Sequence, residues 1–178
     1  MATPAKQSQM YRMLATMPQV GKVEWIGLRV EKKGAINVVP EAEITYEDGL
    51  VGDHYSGRPG AKRQVTLIQQ EHFPVMSAML GGAEVTPELF RRNIVVSGLN
   101  LAALKGCRFQ IGDAVLEGTG SCAPCSLIEE TFGAGAYNIS HGHSGITARV
   151  VRGGAVKVGA EVKFLSLEAG NKSSDEEE

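Results

Sequence analysis

The stretch GTGSCAPCSLIEE, residues 118–130, places Cys122 and Cys125 at the entry to an expected helix. Pro124 suits the first helical turn, where its missing N–H costs nothing, so Cys125 falls beside the free amides of a helix start. That setting favours a thiolate and makes Cys125 a soft metal ligand or a nucleophile. Cys107, at the head of an apolar strand, reads instead as a small packed hydrophobe. A dithiol redox couple uses this Cys-x-x-Cys arrangement, although thioredoxin-like couples follow a βαβ pattern that this sequence lacks. Structural zinc would draw on Cys122, Cys125, His141 and His143, but His-x-His is not the usual finger spacing and no second Cys-x-x-Cys exists. A single thiolate on a soft transition metal needs only Cys125 and a pocket that binds the remainder of a cofactor.

Such a pocket needs cations and amides. In LFRRNIVVSG a helix is expected to end at Arg91-Arg92-Asn93 just before a strand, which brings guanidinium and amide groups to one place. GLVGDHYSGRPGAKRQ carries Asp53, His54, Arg58, Lys62 and Arg63 on a Gly-rich loop; it lacks the Gly-Lys-Ser/Thr ending of a P-loop. HGHSGITARV adds Arg149, which reads equally well as a surface charge.

The elements that must position these groups are mostly strands. Short β-branched runs punctuated by glycine, at KVEWIGLRV, RQVTLIQ, RNIVVSG, CRFQIGDAVLEGTG, ITARVV and AVKVGAEVKFL, predict at least six strands, with turns at QIGDAV and RGGAV. Helices are expected at QEHFPVMSAML, with Pro74 in its first turns, and at TPELFRR, with Thr86 as N-cap and Pro87 and Glu88 in the first turn. Another runs from near Pro124 through Glu130. Met10, Met13, Leu14 and Met17 share a helical face near the N-terminus, in a helix that Pro18 limits. Strands without regular helical alternation point to a closed or sandwiched, mostly antiparallel β domain.

Composition narrows the function classes. The 178 residues are 43% hydrophobic, with 22 glycines and 6% aromatics, which suits one turn-rich β domain. The net charge is −2, and the NKSSDEEE end accounts for the acidic excess, so the body carries 17 basic against 16 acidic residues. No basic face is thereby expected for nucleic acid or an anionic membrane. No apolar run approaches membrane-spanning length and no signal-peptide pattern opens the chain, so a cytoplasmic location is expected. Three cysteines are also more consistent with a reducing compartment than with a disulfide framework.

Taken in order, GLVGDH, RQVTLI, FRRNIVVSGLNL, RFQIGDAVLE, CAPC and GITARVVRGGAVKVG resemble the MOSC domain, the module named for the C-terminal part of molybdenum cofactor sulfurases. The likeness spans roughly Lys22 to Phe164. It implies a mainly β fold, a closed barrel with a few short helices, over residues 22–165, after an N-terminal helical extension at 1–21 and before a disordered acidic tail at 166–178. It also implies molybdenum cofactor as ligand. Carried onto this sequence, the resemblance makes Cys125 the molybdenum ligand and catalytic centre, and Arg91 and Asn93 cofactor contacts. Asp53 and His54 become pocket-wall candidates, and Arg149 a further cofactor contact. Ala123 and Pro124 depart from the polar and basic residues of the amidoxime-reducing relatives, so any contact there falls to backbone.

The implied activity is two-electron reduction of an N-hydroxylated small molecule. The sequence carries no flavin, nicotinamide or iron–sulfur signature, so a separate reductase is the expected partner. A different class is a cofactor or sulfur carrier in which Cys125 or Cys122 holds a persulfide. The chain has no room for a pyridoxal-phosphate domain, so in that case a separate donor supplies the sulfur. The sequence leaves the oligomeric state open.

Overall fold

In the computed structural model the described residues are 8–31, 34–55 and 57–167, so residues 168–178 of the expected acidic tail lie outside them. A short helix α1 (Gln9–Leu14) opens the chain, with the Ser8 hydroxyl accepting from the Tyr11 N–H as its cap. It ends ahead of Pro18. Met10, Met13 and Leu14 stay exposed, while Met17 packs on the core.

Strands β1 (Val20–Leu28), β2 (Asn37–Val38), β3 (Glu41–Thr45), β4 (Gly49–Leu50) and β5 (Val65–Gln69) follow. Helices α2 (His72–Met79) and α3 (Pro87–Phe90) then lead to β6 (Ile94–Ser97), and a 3₁₀ turn (Leu101–Leu104) leads to β7 (Cys107–Ile111) and β8 (Ala114–Ser121). The chain closes with α4 (Ser126–Phe132), α5 (Ala136–Ser140), β9 (Ile146–Arg152), β10 (Gly154–Lys157) and β11 (Glu161–Leu167).

Seven strands close a barrel in the order β11-β7-β8-β9-β5-β6-β1, because β1 pairs back onto β11 through Val20↔Lys163, Gly21↔Val162 and Lys22↔Glu161. β1 also bulges between Val23 and Trp25, and β11 between Phe164 and Ser166, which supplies the local twist that closure demands. Closure leaves no exposed sheet edge around the ring. The barrel thus includes Val20 and Gly21 at one boundary and Ser166 and Leu167 at the other. A separate three-stranded sheet, β10-β3-β4, flanks it, and its strands β3 and β4 were not among those expected from sequence.

The barrel is antiparallel except at β5 and β6, which run parallel with Leu67 opposite Ile94. Parallel neighbours need a crossover, and here α2 and α3 supply it. Their packing explains the unbroken apolar runs of these strands. Val65 and Leu67 with Ile94 and Val96 fill the barrel interior, whereas Ile68 and Val95 belong to a second cluster with Met76 of α2, Phe90 of α3, Ile128 of α4 and Ala136 of α5. Strands covered on both faces carry no polar alternation. Cys125, half-buried, packs against that second cluster. Among the described residues, no helix is long and apolar enough to cross a membrane.

Helices α2 and α3 are shorter than the expected QEHFPVMSAML and TPELFRR. Thr86 occupies the N-cap of α3 with extended dihedrals but makes no side-chain cap bond, and α3 stops at Phe90 because Arg91 turns left-handed, with φ 54° and ψ 40°. Helix α4 is displaced rather than shortened: it begins at Ser126, two positions after Pro124, with Cys125 itself as the N-cap residue, and runs on to Phe132.

The loop before β9 approaches the barrel wall through Gly145, whose φ is +89° and whose missing Cβ would meet the Leu67 carbonyl oxygen at 1.9 Å. Gly81, also at positive φ, has nothing within 4 Å of its Cβ position. Gly145→Ala is expected to cost roughly 3 kcal/mol or more, against about 1 kcal/mol for Gly81→Ala, where only the backbone conformation is penalised. Urea unfolding of the two variants checks this, and equal losses would contradict it.

Candidate functional site

One row across the barrel wall gathers the chemistry. The pairings Ile26↔Ile94, Leu67↔Ile94, Leu67↔Ile146 and Ser121↔Ile146 bring the last residues of β1, the start of β6, the middle of β5, the start of β9 and the end of β8 side by side. Arg29 follows β1, Arg63 precedes β5, Arg91 and Arg92 precede β6, and Cys125 lies on the segment between β8 and α4.

Arg91 and Arg92 both border the cleft but are engaged differently. Left-handed Arg91 is the only non-glycine residue with positive φ among the described residues, a conformation that costs about 1 kcal/mol and so needs compensation from its surroundings. It is half-buried on the wall of the cleft. Arg92 is 7% exposed and donates to three backbone carbonyls: Nε to Ser144 at 2.8 Å, Nη1 to Phe90 at 2.8 Å and Nη2 to Ala123 at 2.9 Å. These acceptors belong to the loop before β9, the end of α3 and the Cys-x-x-Cys turn. The planar fork of a guanidinium can serve three acceptors at once, which an ammonium on a flexible stem does less well. Burial pulls Arg92 below the usual arginine range, with Cys122 opposing that pull.

The two cysteines of the turn are not equivalent. Cys122 is 3% exposed, its N–H donates to the Gly145 carbonyl, and burial pushes its thiol up, although Arg92 and Arg63 pull the other way. It is a buried thiol held against guanidinium groups. Cys125 is half-buried and lines a cavity of about 420 Å³ with Arg29, His54, Arg63, Thr66, Arg91 and Arg92. Among the described residues, no three His, Cys, Asp or Glu side chains are placed to hold a metal ion, so the zinc set with His141 and His143 is not assembled. His143 instead packs edge-on against His72, with ring centroids 4.8 Å apart.

A cavity of about 240 Å³ shares Arg29, His54, Arg63 and Thr66 with the first and adds Asp53 and Asn93. A third, of about 540 Å³, shares Arg29 and Arg91 and continues along Ile36, Glu88, Ser126, Leu127 and Glu130. The three form one branched cleft with Arg29 at the junction. Burial and the nearby Arg91 guanidinium hold Arg29 below its usual range, partly offset by Asp53.

Asn93 is 5% exposed, and its amide oxygen accepts from the Thr66 N–H at 3.1 Å and the Thr66 hydroxyl at 2.8 Å. Its NH₂ is therefore the end left for a ligand. Asp53 Oδ1 accepts from the Arg29 N–H at 2.8 Å, and Oδ2 lies 3.6 Å from Nδ1 of His54. The structure thus brings Cys125, Arg91, Asn93, Asp53 and His54 to one cleft and leaves Arg149 outside it. Arg149 stands opposite Glu117 across the β8–β9 pair, and its Nη2 lies 2.8 Å from both carboxylate oxygens on the outer face of the barrel. Cross-strand charge pairing is its observed engagement.

Arg29 had no place in the sequence reading, and Arg92 entered it only as one of three neighbours. Arg29 carried one local signal, a charge directly after a long apolar strand. The partners of Arg92 are backbone atoms from distant segments, which no side-chain pattern encodes.

Replacing Arg92 by Lys leaves at least one of its three carbonyls without a donor, and a stability loss of roughly 2–4 kcal/mol is expected. Denaturant unfolding of Arg92→Lys measures it; a loss under about 1 kcal/mol would show that the clamp is dispensable. Alkylation with iodoacetamide at neutral pH, followed by peptide mass spectrometry, should label Cys125 well before Cys122 and Cys107. Equal labelling of Cys122 would contradict its burial.

A family model of the MOSC domain matches residues 52–163. The fold is similar to that of the YUAD protein from Bacillus subtilis, at 24% identity and a TM-score of 0.73 over 84% of this chain and 97% of that one. It is also similar to YiiM from Geobacillus stearothermophilus, at 17% identity and a TM-score of 0.65 over 82% of this chain and 75% of that one. YiiM from Escherichia coli is similar at 21% identity and a TM-score of 0.59, covering 82% of this chain and 70% of that one. No curated protein sequence matches the chain. With the family match covering more than half of its length and the closed barrel in place, the chain belongs to the MOSC domain family.

Proposed function

We propose that this protein binds molybdenum cofactor in the arginine-lined cleft and reduces N-hydroxylated small molecules with electrons from a separate reductase in the cytoplasm. The observation that carries this reading is the convergence of Cys125 with Arg29, Arg63, Arg91 and Arg92 on a single cavity. A pterin phosphate is anionic and molybdenum is a soft metal, so a thiol set among guanidiniums suits both parts of the group.

Cys125 would ligate the metal, at the end of a turn whose preceding residues are fixed from two sides. Arg92 holds the Ala123 carbonyl, and the Cys122 N–H is bonded to Gly145. Arg91, Arg29 and Arg63 would neutralise the phosphate, and the Asn93 NH₂ would donate to the pterin. When bound, the cofactor supplies two-electron chemistry, and the protein positions it and excludes competing reactions. The wider branch along Ile36 and Leu127 offers room for the organic part of a substrate.

The test is metal analysis with pterin fluorescence on protein from a host that makes the cofactor. Near-stoichiometric molybdenum is expected in wild type and in Cys122→Ser, and its loss in Cys125→Ser. Arg91→Ala, losing one charged contact of about 1.5–3 kcal/mol, should weaken retention about ten- to hundredfold. Wild type without molybdenum would overturn the reading, and a persulfide on Cys125 in its mass spectrum would then favour sulfur carriage.

A further inference from the structure

His54 holds an unusual position in the cleft. Its Nδ1 is buried without a hydrogen-bond partner, yet lies 3.6 Å from Oδ2 of Asp53, whose side chain is 7% exposed. The His54 N–H donates to the Arg29 carbonyl at 2.5 Å, and the other oxygen of Asp53 accepts from the Arg29 N–H. Both residues are thus fastened to the end of β1. The His54 side chain is 24% exposed, and because Nδ1 is buried, what it presents is the ring edge bearing Nε2. That edge adjoins the cavity that Cys125 lines.

An imidazole with one nitrogen turned to a buried carboxylate and the other toward a reaction cleft is arranged to exchange protons at the second nitrogen. We propose that His54 is the proton donor to the departing oxygen in the reduction of an N-hydroxylated substrate, with Asp53 orienting its ring; this rests on the function proposed above. The balance is simple. Two electrons come from the separate reductase and the N–O bond breaks. The hydroxyl takes one proton from Nε2 of the imidazolium form of His54 and leaves as water, which leaves a neutral ring with its hydrogen on Nδ1 facing Asp53, while the nitrogen takes a second proton from solvent. Solvent then reprotonates His54.

Two measurements on the full chain test this. In the protein without cofactor, ¹⁵N-edited imidazole spectra should show hydrogen on Nδ1 of His54, and Asp53→Asn should shift that resonance. A neutral ring with hydrogen only on Nε2 would overturn the proposal. In molybdenum-loaded protein, with reduced methyl viologen as electron source and N-phenylhydroxylamine as probe, His54→Gln should keep its molybdenum and lose turnover by about a hundredfold or more. Added imidazole should restore part of it, and His54→Asn should behave in the same way. Full turnover at full molybdenum content overturns the proton-donor role alone, and turnover lost only in step with molybdenum makes His54 a binding group instead. A wild type that holds no molybdenum overturns the parent reading and this one together.

Discussion

The buried guanidinium of Arg92 is the contact on which the site depends. Burying a cation is costly unless its donors are satisfied, and Arg92 meets the requirement with carbonyls from three segments far apart in sequence. The same three bonds tie together the end of α3, the turn that carries the cysteines and the loop leading into β9. The position of Cys125 is therefore set by these three segments together rather than by its own short helix. Arg91, with its left-handed backbone, stands on the wall of the same cleft, so one dipeptide supplies both an internal clamp and a lining residue.

Electrostatics divides the cleft into branches. The branch around Cys125 is walled by four arginines and a histidine, whereas the carboxylates Glu88 and Glu130 border only the wider branch. Burial first, and the neighbouring guanidiniums second, hold Arg29 and Arg92 below the usual arginine range, so each gains when an anion arrives. Next to the site, Glu129 accepts from the N–H groups of Tyr137 and Gly135, which holds its carboxyl below the usual range and fixes the α4–α5 junction. That contribution is present at neutral pH and fades as acid protonates the carboxylate.

Much of the fold was legible because apolar runs and glycine-punctuated turns are local signals. The β7–β8 hairpin at QIGDAV pairs Ile111 with Ala114 as its turn residues suggest, β5 and β6 fall inside their expected runs, and β9 exceeds its own by one residue, Arg152. The short strands β3 and β4 were missed because EAEIT is mostly polar and β4 is only two residues long, although Ile44 and Leu50 are fully buried in the core. The parallel β5–β6 pair escaped notice because strand direction depends on a crossover, not on residue type. In the site, Cys125, Arg91 and Asn93 were legible through linked motifs. Arg29 was not, because it reaches the cleft only through the β1–β6 pairing, and Arg149 followed a motif match whose side chain pairs with Glu117 instead.

Joining β1 to β11 also sets the order in which the molecule can assemble. The ring is complete only when Val20 finds Lys163, so contacts separated by most of the chain must form last. A loop of that length costs entropy before its pairing returns any stability, and domains built this way fold slowly. On a ribosome, the edge of the first strand stays unpaired until nearly the whole barrel sequence has been made. The bulge in that strand twists its backbone away from a flat edge, so the device that lets the finished barrel close also makes the waiting strand a poor template for pairing with other chains.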